Sequence, residues 1–164
     1  MTKTMGKKIN FNAFLKHIRG PNRHLEILEV FYDVVPFNGN SNLFIKSLED
    51  LGFEGIPVPL KPYAPHEDNK ANFKSRTDQK ITIEVLDHLQ NKRFDCLVFL
   101  SGDSDYEFLL QKCQDAKKRV EVWATSSTLS NELKKVADAY YKFDDPEFKH
   151  LLMKVTNNSP WWKK

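Results

Sequence analysis

The sequence predicts a three-layer α/β/α fold around a mainly parallel β-sheet, and three observations carry that prediction. Short stretches rich in β-branched and aromatic residues alternate with stretches of helical periodicity along most of the chain, as strands joined by helical crossovers would. The run Cys96-Leu97-Val98-Phe99-Leu100 is apolar without interruption, the pattern of a strand covered on both faces. It stops at Ser101-Gly102-Asp103-Ser104-Asp105, and helical spacing begins at about Tyr106. A strand, a polar tip and a helix in that order put the tip at the carboxyl edge of the sheet, where open α/β folds bind ligands.

Composition agrees with one ordinary globular domain. The chain has 164 residues, 40% hydrophobic and 29% charged, enough to bury a sizeable core. A formal net charge of +3 neither demands nor discourages a nucleic-acid partner. Cys96 lies inside an apolar strand and Cys113 in a helical stretch, with no CxxC spacing; this argues against a zinc site or a disulfide and for a reducing, cytoplasmic setting. No apolar run approaches the roughly 20 residues that a membrane span requires. The opening MTKTMGKKIN is basic but leads into no apolar segment, so a secretory signal is not expected.

The elements follow in order. Asn10–Arg19 spaces Phe11, Phe14, Leu15 and Ile18 as a helix that Gly20-Pro21 ends. Leu25–Val35 (LEILEVFYDVV) reads as a strand closed by Pro36. Ser41–Leu51 reads as a helix with Leu43, Phe44, Leu48 and Leu51 inward and Gly52 at its end. In the short strand Gly55–Leu60, Pro57 and Pro59 suit a sheet edge. Lys61–Thr77 has no apolar period and reads as a long polar loop. Thr77–Leu89 is predicted as a helix capped by Thr77 or Asp78, with Ile81, Val85, Leu86 and Leu89 apolar. After the Phe94–Leu100 strand come a helix over Tyr106–Ala116, a strand over Arg119–Ala124, a helix over Ser130–Ala139 and a short strand over Tyr140–Phe143. Residues 1–145 form the expected domain and 146–164 a tail. The tail's Trp161-Trp162 pair suits packing on its own domain or a partner, or stacking on nucleic acid.

Four acids invite chemistry. Asp103 and Asp105, two apart at a strand tip, can hold a hard divalent cation through oxygen; the structural alternative is that Asp105 only caps the helix and Gly102-Asp103 only makes the turn. Asp78 opens its helix, where the dipole favours an acid, and Glu84 lies six residues on. On a regular helix that is a rise of about 9 Å and a turn of roughly 600°, leaving them about 120° apart. Both can face one ion only if Asp78 sits in a frayed first turn.

These residues also carry a family resemblance. T-D-Q-K-I-T-I-E resembles the helix pattern V-D-x-x-L-A-x-D of the NYN domain, a PIN-like nuclease family that includes the LabA-like bacterial proteins, and sets Asp78 and Glu84 on its acidic positions. S-G-D-S-D-Y resembles its S-G-D-S-D-F strand ending and sets Asp103 and Asp105 on the second pair. The stretch after the later strand also resembles the family's, at Ser126, Ser127, Glu132, Leu133, Ala137 and Asp138. The likeness covers about Ile9 to Asp145. It implies a PIN-like, Rossmann-like fold and a ribonuclease in which Mg²⁺ or Mn²⁺ assists phosphodiester hydrolysis. Asp78, Asp103 and Asp105 would then be catalytic, and all four acids would hold metal. Lys70, Lys74, Arg76 and Lys80, which flank the first acids, would meet the RNA backbone, or simply belong to a solvated loop. RNA is the partner implied and no membrane is; a homodimer stays open.

One family feature is not found. The opening strand hhhhD-x-x-N, whose Asp ligates metal, has no counterpart here; Asp33 with Asn38 has the wrong spacing, and LEILEVFYDVV resembles the family's second strand. That suggests an incomplete gene product, a domain that borrows a strand, or one that has lost activity. The rivals to a nuclease are therefore an impaired RNA-binding or regulatory module, an aspartate-nucleophile phosphatase whose paired-Asp motif is not seen, and an interaction protein acting through its tail.

Overall fold

The structure is a computed structural model that describes residues 7–34, 42–63 and 72–154. It is mixed α/β, with two parallel ladders and two short antiparallel pairs. The chain divides into two compact units, one holding residues up to Glu26 and from His88 onward, the other Ile27–Asp87. Among the described residues no helix is long and apolar enough to cross a membrane.

The first unit opens with a strand missing from the sequence reading, β1 (Lys7–Ile9), and then α1 (Phe11–Arg19). Asn10 caps α1 by accepting from the Ala13 N–H at 3.1 Å. Its three parallel strands are β6 (Cys96–Phe99), β7 (Arg119–Ala124) and β8 (Ala139–Lys142), in that order. Between them run α4 (Glu107–Asp115) and α5 (Asn131–Val136), which pack on each other. Beyond β8 a 3-10 turn at Pro146–Leu151 leads into β9 (Leu152–Lys154), which pairs antiparallel with β1.

Trp123 on β7 centres this unit's core. It stacks on Tyr141 with ring centres 4.5 Å apart and meets Phe14, Phe143 and Phe148 at 5.0 to 5.2 Å, a set of offset and edge contacts that large rings prefer. Phe148 and Leu151 are buried, so the first part of the expected tail is built into the core. Cys96 and Cys113 are both free thiols, and burial pushes the Cys113 thiol up to about 11.

β6 departs from expectation. Cys96, Leu97 and Val98 are only half-buried, whereas Val120, Val122 and Ala124 on β7 are fully buried. β7 has a neighbour on each edge; β6 has one among the described residues.

The second unit holds β2 (Glu29–Val34), α2 (Leu43–Glu49), β3 (Glu54–Pro59), β4 (Lys61–Tyr63), β5 (Asn72–Lys74) and most of α3 (Thr77–Gln90). β2 pairs with β3 in parallel, and the prolines sit on that edge strand as predicted. The expected single sheet of Leu25–Val35, Phe94–Leu100 and Arg119–Ala124 is not what forms: β2 belongs to a different ladder from β6 and β7. Alternation along the chain predicts parallel strands with helical crossovers but leaves open which strands become neighbours.

Two local readings also change. In α2 the buried residues are Ile45 and Leu48, while Leu43 is exposed; Asn42 caps the helix, which turns Leu43, in the first turn, outward. Lys61–Thr77 is not simply a loop, because it contains the antiparallel pair β4–β5. Three-residue strands carry too few side chains to leave a period-2 signal.

Candidate functional site

The tip after β6 is shaped by its own backbone demands. Asp103 Oδ1 accepts from the Asp105 N–H at 3.0 Å and caps a 3-10 turn over Ser104–Tyr106 that feeds α4. The cap is therefore Asp103, not Asp105 as the sequence suggested. Ser101 Oγ accepts from the Asp103 N–H at 3.3 Å, closing the turn from the other side. Tyr106 then turns inward, buried against Phe99 with ring centres 4.8 Å apart. That anchor leaves Asp103, Ser104 and Asp105 exposed above it.

The opposite wall comes from the loop after β7. Gly102 lies so close to it that a Cβ would run into the Thr128 carbonyl and stand 2.8 Å from Leu129 Cα. The Ser130 N–H donates to the Gly102 carbonyl at 2.9 Å, and Ser130 Oγ accepts from the Leu133 N–H to cap α5. Thr128 is held by a hydroxyl contact of 2.8 Å with Thr125. Ser101, Gly102, Asp103, Ser104, Thr128 and Ser130 line an open cleft of about 460 Å³ at the carboxyl ends of two parallel strands. Thr128 and Ser130 were not singled out from sequence. The hydroxyl-rich run after a strand, TSSTLS, was the available signal.

The other matched positions prove structural. The Asp138 carboxyl lies below the usual range, chiefly because it accepts from the Val120 N–H at 2.7 Å; it ties the start of β8 to β7. The Ser126 N–H donates to Asp144 at 2.7 Å, and Leu133 is fully buried.

The remaining candidates lie in the second unit. Asp78 is in the first turn of α3. Glu84, six residues further on, pairs with Lys80, so two of the expected site residues engage each other as an i,i+4 pair. Asp33 Oδ1 accepts from Ser75 Oγ at 2.8 Å and Thr77 Oγ1 at 2.7 Å, which fixes the approach to α3. Arg76 donates to the Pro59 carbonyl at 3.1 Å. Lys74 is exposed; Lys70 and the Trp161-Trp162 pair lie outside the described residues.

Does this chemistry fit a metal? Neither Asp103 nor Asp105 has an ion pair among the described residues. Two carboxylates beside hydroxyls form a hard oxygen donor set, and Mg²⁺ is commonly held by one or two carboxylates with water and substrate completing its shell. Among the described residues no group of three His, Cys, Asp or Glu side chains could hold an ion. The tip therefore fits a partly hydrated cation, not a closed protein cage.

Comparison with known proteins agrees with this architecture. No curated protein matches the chain. A crystal structure of a Vibrio parahaemolyticus protein of unknown function matches the fold with a TM-score of 0.65 at 22% identity, covering 87% of this chain and 83% of that one. The sequence model of the NYN domain matches residues 1–150. With nearly the whole chain matched, this protein belongs to the NYN domain family, within the PIN-like nuclease superfamily.

Proposed function

We propose that the protein is a metal-dependent ribonuclease whose chemistry centres on Asp103 and Asp105. The observation that carries the reading is the open hydroxyl-lined cleft in which the exposed Asp103 carboxylate stands, with exposed Asp105 two residues on, neither with a cationic partner among the described residues. A buried carboxylate is normally neutralised by its own protein; one exposed at a strand tip is open to a ligand. Asp105 is exposed beside the cleft residue Asp103, which keeps Oδ2 available while Oδ1 holds the turn. Bound Mg²⁺ or Mn²⁺ would supply an activated water and neutralise charge on the scissile phosphate. Ser101, Ser104 and Ser130 offer hydroxyls to phosphate oxygens, and Gly102 lets the Thr128 carbonyl and the Leu129 backbone pack closely against the tip. Asp78 and Glu84 belong to the other unit, Glu84 paired with Lys80, and the Lys74–Lys80 segment offers positive charge to RNA.

A second reading has its own support. Glu84 is taken up by Lys80, and no three-ligand group occurs among the described residues, which favours an RNA-binding module with little catalysis. One experiment separates the two. Labelled single-stranded RNA is incubated with protein and Mn²⁺, beside an Asp103→Asn/Asp105→Asn variant. Cleavage abolished by the double substitution supports the nuclease. Binding without cleavage selects the module, and an absence of both removes RNA from the function altogether.

A further inference from the structure

The strongest unexplained feature is the β4–β5 hairpin. Its register sets Lys61 directly opposite Lys74, and Pro62 opposite Phe73. Side chains of directly opposed residues share a face and lie about 5 Å apart at Cβ, so this pair of like charges weakens the hairpin. A two-stranded ribbon of three-residue strands is marginal to begin with. Arg76 adds a third cation to the same end: its guanidinium is tethered to the Pro59 carbonyl, two residues before Lys61. Lys61, Lys74 and Arg76 are all exposed, and none forms an ion pair with a carboxylate among the described residues. Asp33, the carboxylate bonded into this region, is engaged by the hydroxyls of Ser75 and Thr77.

Lysines on a sheet edge can serve only to block edge-to-edge pairing, but that role needs no second lysine facing the first. Three cations gathered without a counter-charge fit a multiply charged anion, and phosphate is the group that Lys and Arg bind through several oxygens at once. The other face of the ribbon carries Phe73, 40% exposed, a ring on which a base can stack. We infer that the β4–β5 hairpin is the phosphate-binding arm for single-stranded RNA, with Lys61 and Lys74 gripping the backbone and Arg76 supporting them. This rests on the RNA reading above, and adds Lys61, which no sequence pattern singled out.

The test is the salt dependence of binding to a fluorescently labelled single-stranded oligoribonucleotide, in the presence of a chelator so that no cleavage intervenes. Lys61→Gln/Lys74→Gln is compared with Lys16→Gln/Lys46→Gln, which removes the same charge from exposed sites elsewhere. The hairpin variant should bind about tenfold more weakly at moderate salt. Its slope of log affinity against log salt should be shallower by about 1.4, two phosphate contacts at roughly 0.7 each. Its melting temperature should hold or rise, because a repulsive pair is removed. Equal losses in both variants, or an unchanged slope in the hairpin variant, would overturn the arm while leaving RNA binding intact. Wild-type protein that binds no RNA at any salt would overturn both the arm and the RNA reading.

Discussion

Glu121 and the Asp103–Asp105 pair belong to one ladder and its tip, yet their surroundings are opposite. Glu121 lies near the amino end of β7, 2% exposed, with Arg23 forked across both its oxygens at 2.6 and 2.8 Å and Arg119 Nε at 2.7 Å. Its carboxyl is held below the usual carboxylate range, first by the Arg23 hydrogen bonds, against the cost of burial. Asp103 and Asp105 stand exposed at the carboxyl end of β6, one engaged by a backbone N–H and neither by a cation among the described residues. The chain neutralises the carboxylate that only has to hold the fold, and leaves uncovered those at the edge where α/β sheets bind ligands.

Stability should follow that division, with the largest effect at Glu121. Arg23→Ala leaves a buried carboxylate with Arg119 alone, and should cost about 3 kcal/mol, the lower end for breaking a buried pair because one partner remains. The pH dependence has a definite sign. Glu121 titrates lower in the folded protein than in the unfolded chain, so its stabilisation is full above about pH 4.3 and fades as pH falls through the folded value. Wild-type melting temperature should drop more steeply in acid than that of Arg23→Ala. Parallel acid profiles would break the comparison.

Next in size is Gly102→Ala. The added methyl meets the Thr128 carbonyl and the Leu129 backbone, neither of which can swing aside as a side chain would. A loss of about 2 kcal/mol is expected from overpacking, read as a lowered urea midpoint with an unchanged slope. A neutral effect would mean the two walls of the cleft are held less tightly than their hydrogen bond implies.

Smaller still are the changes at Asp103. Asp103→Ala removes the cap and should cost about 1 kcal/mol, whereas Asn caps as well as Asp. Asp103→Asn should therefore melt within a degree or two of wild type. A large loss from Asp103→Asn would mean that the charge itself serves the fold, and the contrast with Glu121 would collapse.

Much of this was legible beforehand, for reasons that differ by element. Strand β7 was readable to the residue and helix α1 to within one residue, because a glycine stop and continuous burial are plain there. The S-G-D-S-D tip was readable because it combines an apolar strand, a mandatory glycine and two acids at one place. The opposing wall was not, since Thr128 and Ser130 reach the cleft through a loop whose path depends on the packing of Leu129 and Leu133. Glu121 inside an apolar strand could have been flagged as a buried charge, but its partner Arg23 is 98 residues away. Strands β1, β4 and β5 escaped notice because three residues cannot show an alternation.

The division between neutralised and available carboxylates is tested most directly by Mn²⁺ binding, followed by electron paramagnetic resonance on wild-type protein, Asp105→Asn and Glu121→Gln. Wild type should bind Mn²⁺ in competition with Mg²⁺. Asp105→Asn should weaken that binding by more than about tenfold, since one of two charged oxygen ligands is lost from a site already completed by water. Glu121→Gln, where folded, should bind as wild type does. Wild-type protein that binds no Mn²⁺, or an Asp105→Asn variant that binds it equally well, would contradict the assignment of the tip as the metal site.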